Sequence, residues 1–337
     1  MLYFSHPSGL AHDPRAHMPG HPDTPERLVA IDRTLELVDW LGWERREAPP
    51  AAERELELIH SPRHVEAIRE LCLSGGGPID ADTFVGEESY VAALHAAGGA
   101  CAMVRSLLAG EQELGFCALR PPGHHAEAQR AMGFCLFNNV AIAAELAIRE
   151  LGAERVFVFD WDVHHGNGTA EAFRRRKDVL FASIHEAGIF PGTGASGDFG
   201  SGEGEGCTIN LPVPGGSGEE LWLSLVEHVV LPIARAFGPD LILLSAGFDA
   251  HRDDPLASCT LEEDSFARMA CHLRDLASGL GVPLGAVLEG GYEPLALAAS
   301  VAATLAALGG EGEAVSAAPE ALLTSRAAAG VARYWTL

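Results

Sequence analysis

Two aspartates and two histidines fall within six positions of one segment, at the end of an apolar run. The stretch is "FDWDVHHGNGT" (159–169), carrying Asp160, Asp162, His164 and His165. If extended backbone continues through it, Asp160, Asp162 and His164 share one face, with about 6.6 Å between alternate residues. Carboxylate and imidazole donors on neighbouring rungs can converge on one ion at about 2 Å. A second apolar run, "LILLSAG" (241–247), is followed by Asp249. One histidine and two aspartates suit a Zn²⁺ that keeps positions open for water and substrate. Asp160 lies one rung deeper and suits a supporting role or a hard monovalent cation. Taken singly, each of these residues suits a turn or a cap. Together at strand ends they point to a metal.

Two more strand ends carry reactive groups. "CALRPPGHHAE" places His124 and His125 behind a rigid Pro-Pro-Gly turn. Imidazoles titrate near neutral pH and suit proton transfer; the pair equally suits further metal ligands or an exposed loop. "AVLEGGYE" ends a run with Gly290, Gly291 and Tyr292. Two glycines permit a tight turn, and a phenol can donate to a developing oxyanion. A tyrosine packed at a turn is the plainer reading.

The elements that must position these groups are short apolar runs alternating with helical segments. The runs are "GFCAL" (115–119), "RVFVFD" (155–160), "VLFAS" (179–183), "LILLSAG" and "GAVLE" (285–289). The helical segments include 139–151, 219–236, 262–279 and 294–308. This alternation predicts an α/β fold whose parallel sheet is covered on both faces, with ligands outside the carboxyl ends of the strands. Thr24 and Ser61 read as N-caps, each followed by a proline (Pro25, Pro62) at the first helical position. "GTGASG" (192–197) matches a dinucleotide-binding pattern but opens no helix, so it reads as a loop. The segment after Gly310 reads as a closing helix.

The 337 residues suit one large α/β domain. Lys plus Arg total 23 against 47 for Asp plus Glu, a net charge of −24. That argues against nucleic acid as a direct partner, because phosphate needs a basic surface, and mildly favours cationic substrates. Seven cysteines without a C-x-x-C pair, and no leader at "MLYFSHPSGL", predict reduced thiols and a cytoplasmic chain. No apolar stretch reads as the ~20 residues of a membrane span.

"RPPGHH", "GFCLFNNVAIAA", "DWDVHHGNGT", "FPGTG", "SAGFDAH" and "LEGGY", in that order, resemble the zinc-dependent histone deacetylase family, which includes bacterial deacetylases and acetylpolyamine amidohydrolases. "HPDTPERL" resembles the family's N-terminal motif. The resemblance covers about residues 1–310. It implies a single three-layer αβα domain of the arginase/deacetylase type, with about eight mostly parallel strands, and 311–337 as a tail packed on it. It implies zinc held by Asp162, His164 and Asp249. His125 is implied as general base and acid, His124 as its electrostatic partner, and Tyr292 as the oxyanion donor. Gly133, Phe134 and Phe190 are implied as walls of an acyl-lysine channel. A structural K⁺ is implied at Asp160, Ser183 and backbone groups of Asp162, His164 and Ile184. His165, facing the other way, reads as structural.

One position departs from the pattern. Some relatives carry Asp where this chain has Asn167 beside the second histidine. Asn supplies no charge, so His125 is expected to be less basic. The rim position Leu256 aligns with a Glu gatekeeper of polyamine-selective relatives, and "SIHEAGIFPGTG" resembles the class II branch. The implied reaction is hydrolysis of an N-acetyl amide, on an acetylated lysine peptide or protein or on a small acetylated amine. The competing readings are a small-molecule deacylase, a manganese ureohydrolase and a non-catalytic acyl-lysine binder. The ureohydrolase would want further aspartates; the binder would lack Tyr292 or the histidine pair.

Overall fold

The structure is a computed structural model that describes residues 1–310, 312 and 318–336. Its strands are β1 (Leu2–Ser5), β2 (Glu44–Glu47), β3 (Gly77–Pro78), β4 (Phe84–Val85), β5 (Leu114–Cys117), β6 (Val156–Asp160), β7 (Val179–Glu186), β8 (Thr208–Val213), β9 (Leu241–Ala246) and β10 (Leu284–Leu288). Eight form one sheet in the order β2-β1-β5-β10-β9-β6-β7-β8, parallel throughout; β3 and β4 make a separate antiparallel ribbon. This is the expected α/β architecture. The order also explains the site. The strands that end in the histidine pair, the Gly-Gly-Tyr turn, Asp249 and Asp162–His164 are β5, β10, β9 and β6, four consecutive neighbours.

Alternation along the central strands fills both faces. On β6, Phe157 and Phe159 enter the larger core while Val156 and Val158 enter the one opposite. On β9, Ile242 and Leu244 share the first core; Leu241 and Leu243 share the second. A strand apolar at every position is what a doubly covered parallel sheet requires. The helices Glu263–Leu280 and Pro294–Leu308 cover the first face; Ser89–Leu108 and Asn139–Glu150 cover the second.

Three sequence expectations need correction. The helix Ser89–Leu108 spans 20 residues and is apolar enough by composition to cross a membrane. It is mostly buried and lies against the sheet: a Cβ at Gly115 of β5 would come within 2.5 Å of Met103 on this helix. The N-terminal helix begins at Glu26, with Pro25 rather than Thr24 at the cap position and no side-chain cap. Ser61, by contrast, accepts from the His64 amide as expected. The segment 219–236 runs helical but with a π turn at Val226–Val230, immediately before Pro232. Proline lacks the amide that would continue regular i→i−4 bonding, and such turns absorb the defect.

Residues 192–197 form no helix, as expected for a loop. Of the tail, 311, 313–317 and 337 lie outside the described residues. Its helix Leu322–Val331 is tied to the body by Thr324 Oγ1, 2.8 Å from Ser224 Oγ. All seven cysteines are buried.

Candidate active site

Strand β6 stops at Asp160, short of the expected extension, so Asp162 and His164 sit on a bend. Alternation nonetheless survives, because Trp161 and Val163 enter the core. The bend is held by its own carboxylates. Asp160 accepts from the Asp162 amide (3.1 Å), Asp162 from the His164 amide (2.9 Å) and Asp249 from the Val163 amide (2.8 Å). These bonds satisfy backbone that has left the ladder. They also aim the ligand atoms. His164 Nδ1 lies 3.2 Å from Asp162 Oδ1 and 3.0 Å from Asp249 Oδ2, and the three donors lie within 4.8 Å of one another. Gly290 closes the cluster by donating its amide to Asp162 Oδ2 at 2.8 Å. A Cβ there would stand 2.1 Å from Asp249 Oδ2, so only glycine fits.

The charge balance shows what the cluster accommodates. Asp160, Asp162, Asp249 and Glu289 are all buried. Burial raises the Asp160 carboxyl to about 6, partly offset by His124. Burial and the neighbouring Asp162 raise Asp249. Burial lowers His164, but hydrogen bonds to Asp162 and Asp249 outweigh it and bring the ring up to about 10. Without a metal, a proton on Nδ1 is thus the charge between the two carboxylates. The donor set, two oxygens and a nitrogen around one point, fits a divalent cation in place of that proton.

The histidine pair sits beside this cluster. His124 Nδ1 lies 3.0 Å from Asp160 Oδ2. Burial works against its charge, but Asp162 and Asp160 prevail and hold it well above the usual histidine range. His125 is the opposite case: burial, then the cations at His124 and His164, push it well below that range. One ring is held charged and its neighbour neutral. Asn167 settles the tautomer of the neutral one. Its amide nitrogen donates to Glu127 Oε1 (2.9 Å), which leaves Oδ1 facing His125 Nδ1 at 2.8 Å. An oxygen there accepts only from an N–H, so His125 Nε2 carries the lone pair.

Tyr292 stands on a turn that residues from the N-terminal segment hold in place. The Arg27 guanidinium donates to the carbonyls of Gly291 (2.6 Å) and Glu289, and to Asp23 Oδ1 (2.6 Å). It lies 4.9 Å from the centre of the Tyr292 ring. Asp23 also binds Arg120 at 2.7 Å, on the turn that leads to the histidines. Glu289 accepts from the amides of Gly123 (2.6 Å) and His124 (3.1 Å). Sequence reasoning assigned no role to Asp23, Arg27, Arg120 or Glu289. The signal was present, since they lie inside "HPDTPERL", "RPPGHH" and "LEGGY".

A channel of about 210 Å³ descends to the cluster, lined by His125, His164, Gly133, Phe134, Phe190 and Tyr292 and, at the rim, Asp82 and Leu256. Phe134 meets Tyr292 edge to face with ring centres 5.5 Å apart, and Phe190 meets His125 likewise at 5.0 Å. Gly133 has φ +56, and a Cβ there would lie 2.5 Å from His125 and 2.8 Å from Phe190. Residues 21–308 match the family model described as the histone deacetylase domain. The chain belongs to the histone deacetylase family.

Three relatives show the spread of this family around the chain. Histone deacetylase 15 of Arabidopsis thaliana is 42% identical over 300 residues, 86% of this chain and 53% of the relative. The chain therefore spans about half of that protein's length. A histone deacetylase-like amidohydrolase of Pseudomonas aeruginosa is 40% identical over 276 residues, covering 81% of this chain and 73% of the relative. A probable deacetylase of Methanothermobacter thermautotrophicus is 43% identical over 298 residues, 87% of each. The crystal structure of the HDA15 HD domain superposes with a TM-score of 0.91 at 37% identity, covering 98% of this chain and 95% of that one.

In this histone deacetylase family member, three of the residues expected around a monovalent cation, Asp160, Ser183 and Ile184, lie on adjacent strands. Asp160 pairs with Ser183 in the β6–β7 register, and Ile184 follows on the same strand. Ser183 Oγ is 2.9 Å from His185 Nδ1. His165 turns away and binds Thr193 Oγ1 at 2.8 Å, which pins the loop that follows Phe190.

Asn167→Asp tests the reading of His125. A carboxylate at 2.8 Å from Nδ1 favours the imidazolium, so the ring should lose its proton only at higher pH. The acid limb of the kcat/KM–pH profile is expected to move up by about 1 to 3 pH units. An unmoved limb means that His125 does not set it.

Proposed function

We propose that this chain is a zinc-dependent deacetylase that hydrolyses the acetyl amide of acetyl-lysine side chains in peptides or proteins. The observation that carries the reading is the Asp162–His164–Asp249 cluster at the floor of a narrow channel walled by Phe134 and Phe190. A zinc ion bound by these three residues supplies Lewis acidity toward the amide carbonyl and toward water. A K⁺ at Asp160, Ser183 and the neighbouring backbone would support the floor beneath them.

The rest of the chemistry belongs to the chain. Phe134 and Phe190 sandwich a linear alkyl stem and exclude water along it. His125, neutral with Nε2 free, takes the proton of the attacking water and returns it to the leaving amine. His124, held cationic by Asp162 and Asp160, offsets the negative charge that develops nearby. Tyr292 donates its hydroxyl hydrogen to the oxyanion. Burial keeps that phenol protonated, well above its usual range. Metal analysis and acetate release on the purified chain test this reading.

A small acetylated amine is the second reading, favoured by the net charge of −24 and by Asp82 at the mouth. Diffuse surface charge is largely screened beyond about 8 Å at physiological salt, so the rim residue itself should decide. Leu256 is apolar and 37% exposed there, which suits contact with a peptide rather than a second ammonium. Acetyl-lysine peptides are expected to exceed acetylspermidine in kcat/KM. Leu256→Glu should shift that ratio toward the polyamine by about 10-fold, equivalent to about 1.4 kcal/mol in the transition state. A wild type that already prefers the polyamine overturns the substrate assignment.

A further inference from the structure

A cavity of about 590 Å³ lies between the helix Leu322–Val331 and the edge strand β8, and it shares no lining residue with the channel. Its outer wall is fixed. Thr324 and Ser224 are fully buried with their hydroxyls 2.8 Å apart, and the Ala321 amide donates to Ser224 Oγ at 3.0 Å. Beyond the helix, Tyr334 donates to Glu205 (2.8 Å) and the Trp335 indole to the Gly206 carbonyl (2.7 Å). The tail is therefore anchored on both sides of the cavity.

The lining has two characters. Phe199, Leu211, Leu323 and Val331 present apolar surface. Arg326 and Arg333 present two guanidinium groups, and neither has an acidic partner among the described residues. Arg333 lies over the Phe199 ring at 4.5 Å and over Tyr334 at 4.7 Å, which holds its planar face in place. Both guanidinium groups converge on this one cavity, in a chain with twice as many acids as bases. Guanidinium recognises carboxylate, phosphate and sulfonate oxygens through paired N–H donors. The volume lies in the range of small-molecule sites.

We propose that this cavity is a binding site, separate from the active site, for an organic anion with an apolar body. The body packs against Phe199, Leu211 and Leu323, and the anionic head meets Arg326 and Arg333. Separation from the channel follows from the loop between them. It leaves the channel wall at Phe190, is pinned at Thr193 by His165 and at the Gly194 carbonyl by His185 (3.0 Å), and only then reaches Phe199.

The probe is anilinonaphthalene sulfonate, an aromatic body with one anionic head, titrated by fluorescence into the full chain. The channel is first saturated with a linear-chain hydroxamate. One saturable site per chain is expected to remain, and uncharged phenylnaphthylamine should bind it more weakly. Arg326→Gln with Arg333→Gln should weaken sulfonate binding by about 10-fold, as for two partly exposed ion pairs. If the double variant does not fold, Arg326→Gln alone decides, with about 3-fold weakening expected at an unchanged melting temperature. Complete displacement by the hydroxamate overturns the proposal. So does a folded arginine variant that binds the sulfonate as wild type does.

Discussion

Asp249→Asn is expected to remove the bound metal and lower deacetylation by more than about 10³-fold, while the metal-free protein stays folded. Asp249 is fully buried, with Oδ1 on the Val163 amide and Oδ2 on His164. The replacing carboxamide is the same size but carries no charge. Whichever way it lies, its NH₂ faces either the Val163 N–H or His164. One of two anionic ligands is thus replaced by a weak neutral one. Stability without metal should change little. Burial and Asp162 raise the Asp249 carboxyl, so its ionised form burdens the metal-free fold at neutral pH. The carboxamide removes that burden but sets its NH₂ against the Val163 N–H or His164, so the two metal-stripped proteins should melt close together. Only wild type should gain on adding zinc, by about 4 kcal/mol when free metal exceeds Kd about 1,000-fold. Paired melting curves with and without zinc, together with metal analysis, check both halves. One zinc per chain in the variant would show that Asp249 is not a ligand.

Tyr292→Phe should lower kcat by about 10²–10³-fold, the range for a lost oxyanion donor, with the metal retained. The substitution removes one oxygen and little else. The ring keeps its edge-to-face contact with Phe134 and its place beside Arg27. The backbone keeps the bond from the Tyr292 amide to Asp254 Oδ2, 2.6 Å. Among the described residues the hydroxyl has no hydrogen-bond partner, so its removal orphans no buried group. Loss in kcat with KM little changed is the signature of an interaction made only in the transition state. A variant within a few-fold of wild type would remove Tyr292 from the chemistry.

The four strand ends that build the site were legible because each couples an uninterrupted apolar run to polar residues just beyond it. That pattern has few other causes in a doubly covered sheet. Strand β2 was not legible. Its sequence is Glu44-Arg45-Arg46-Glu47, and an edge strand paired only with β1 has no need of apolar side chains on both faces. The helix Ser89–Leu108 carried no amphipathic stripe because most of its surface is buried, with Gly98 and Gly99 letting neighbours approach. The clamp on the tyrosine turn was hidden for a different reason. Arg27 reaches Gly291 across 264 positions, and Arg120 reaches Asp23 across 97. Local spacing holds no trace of such pairings; only the motifs containing these residues marked them.

Acetate release from an acetyl-lysine peptide, measured on metal-stripped protein before and after adding one equivalent of zinc, tests the central claim most directly. No turnover is expected in the stripped protein and full turnover at one equivalent, with neither state unfolded. Equal turnover in both states, or none in the zinc-loaded protein, would contradict the claim.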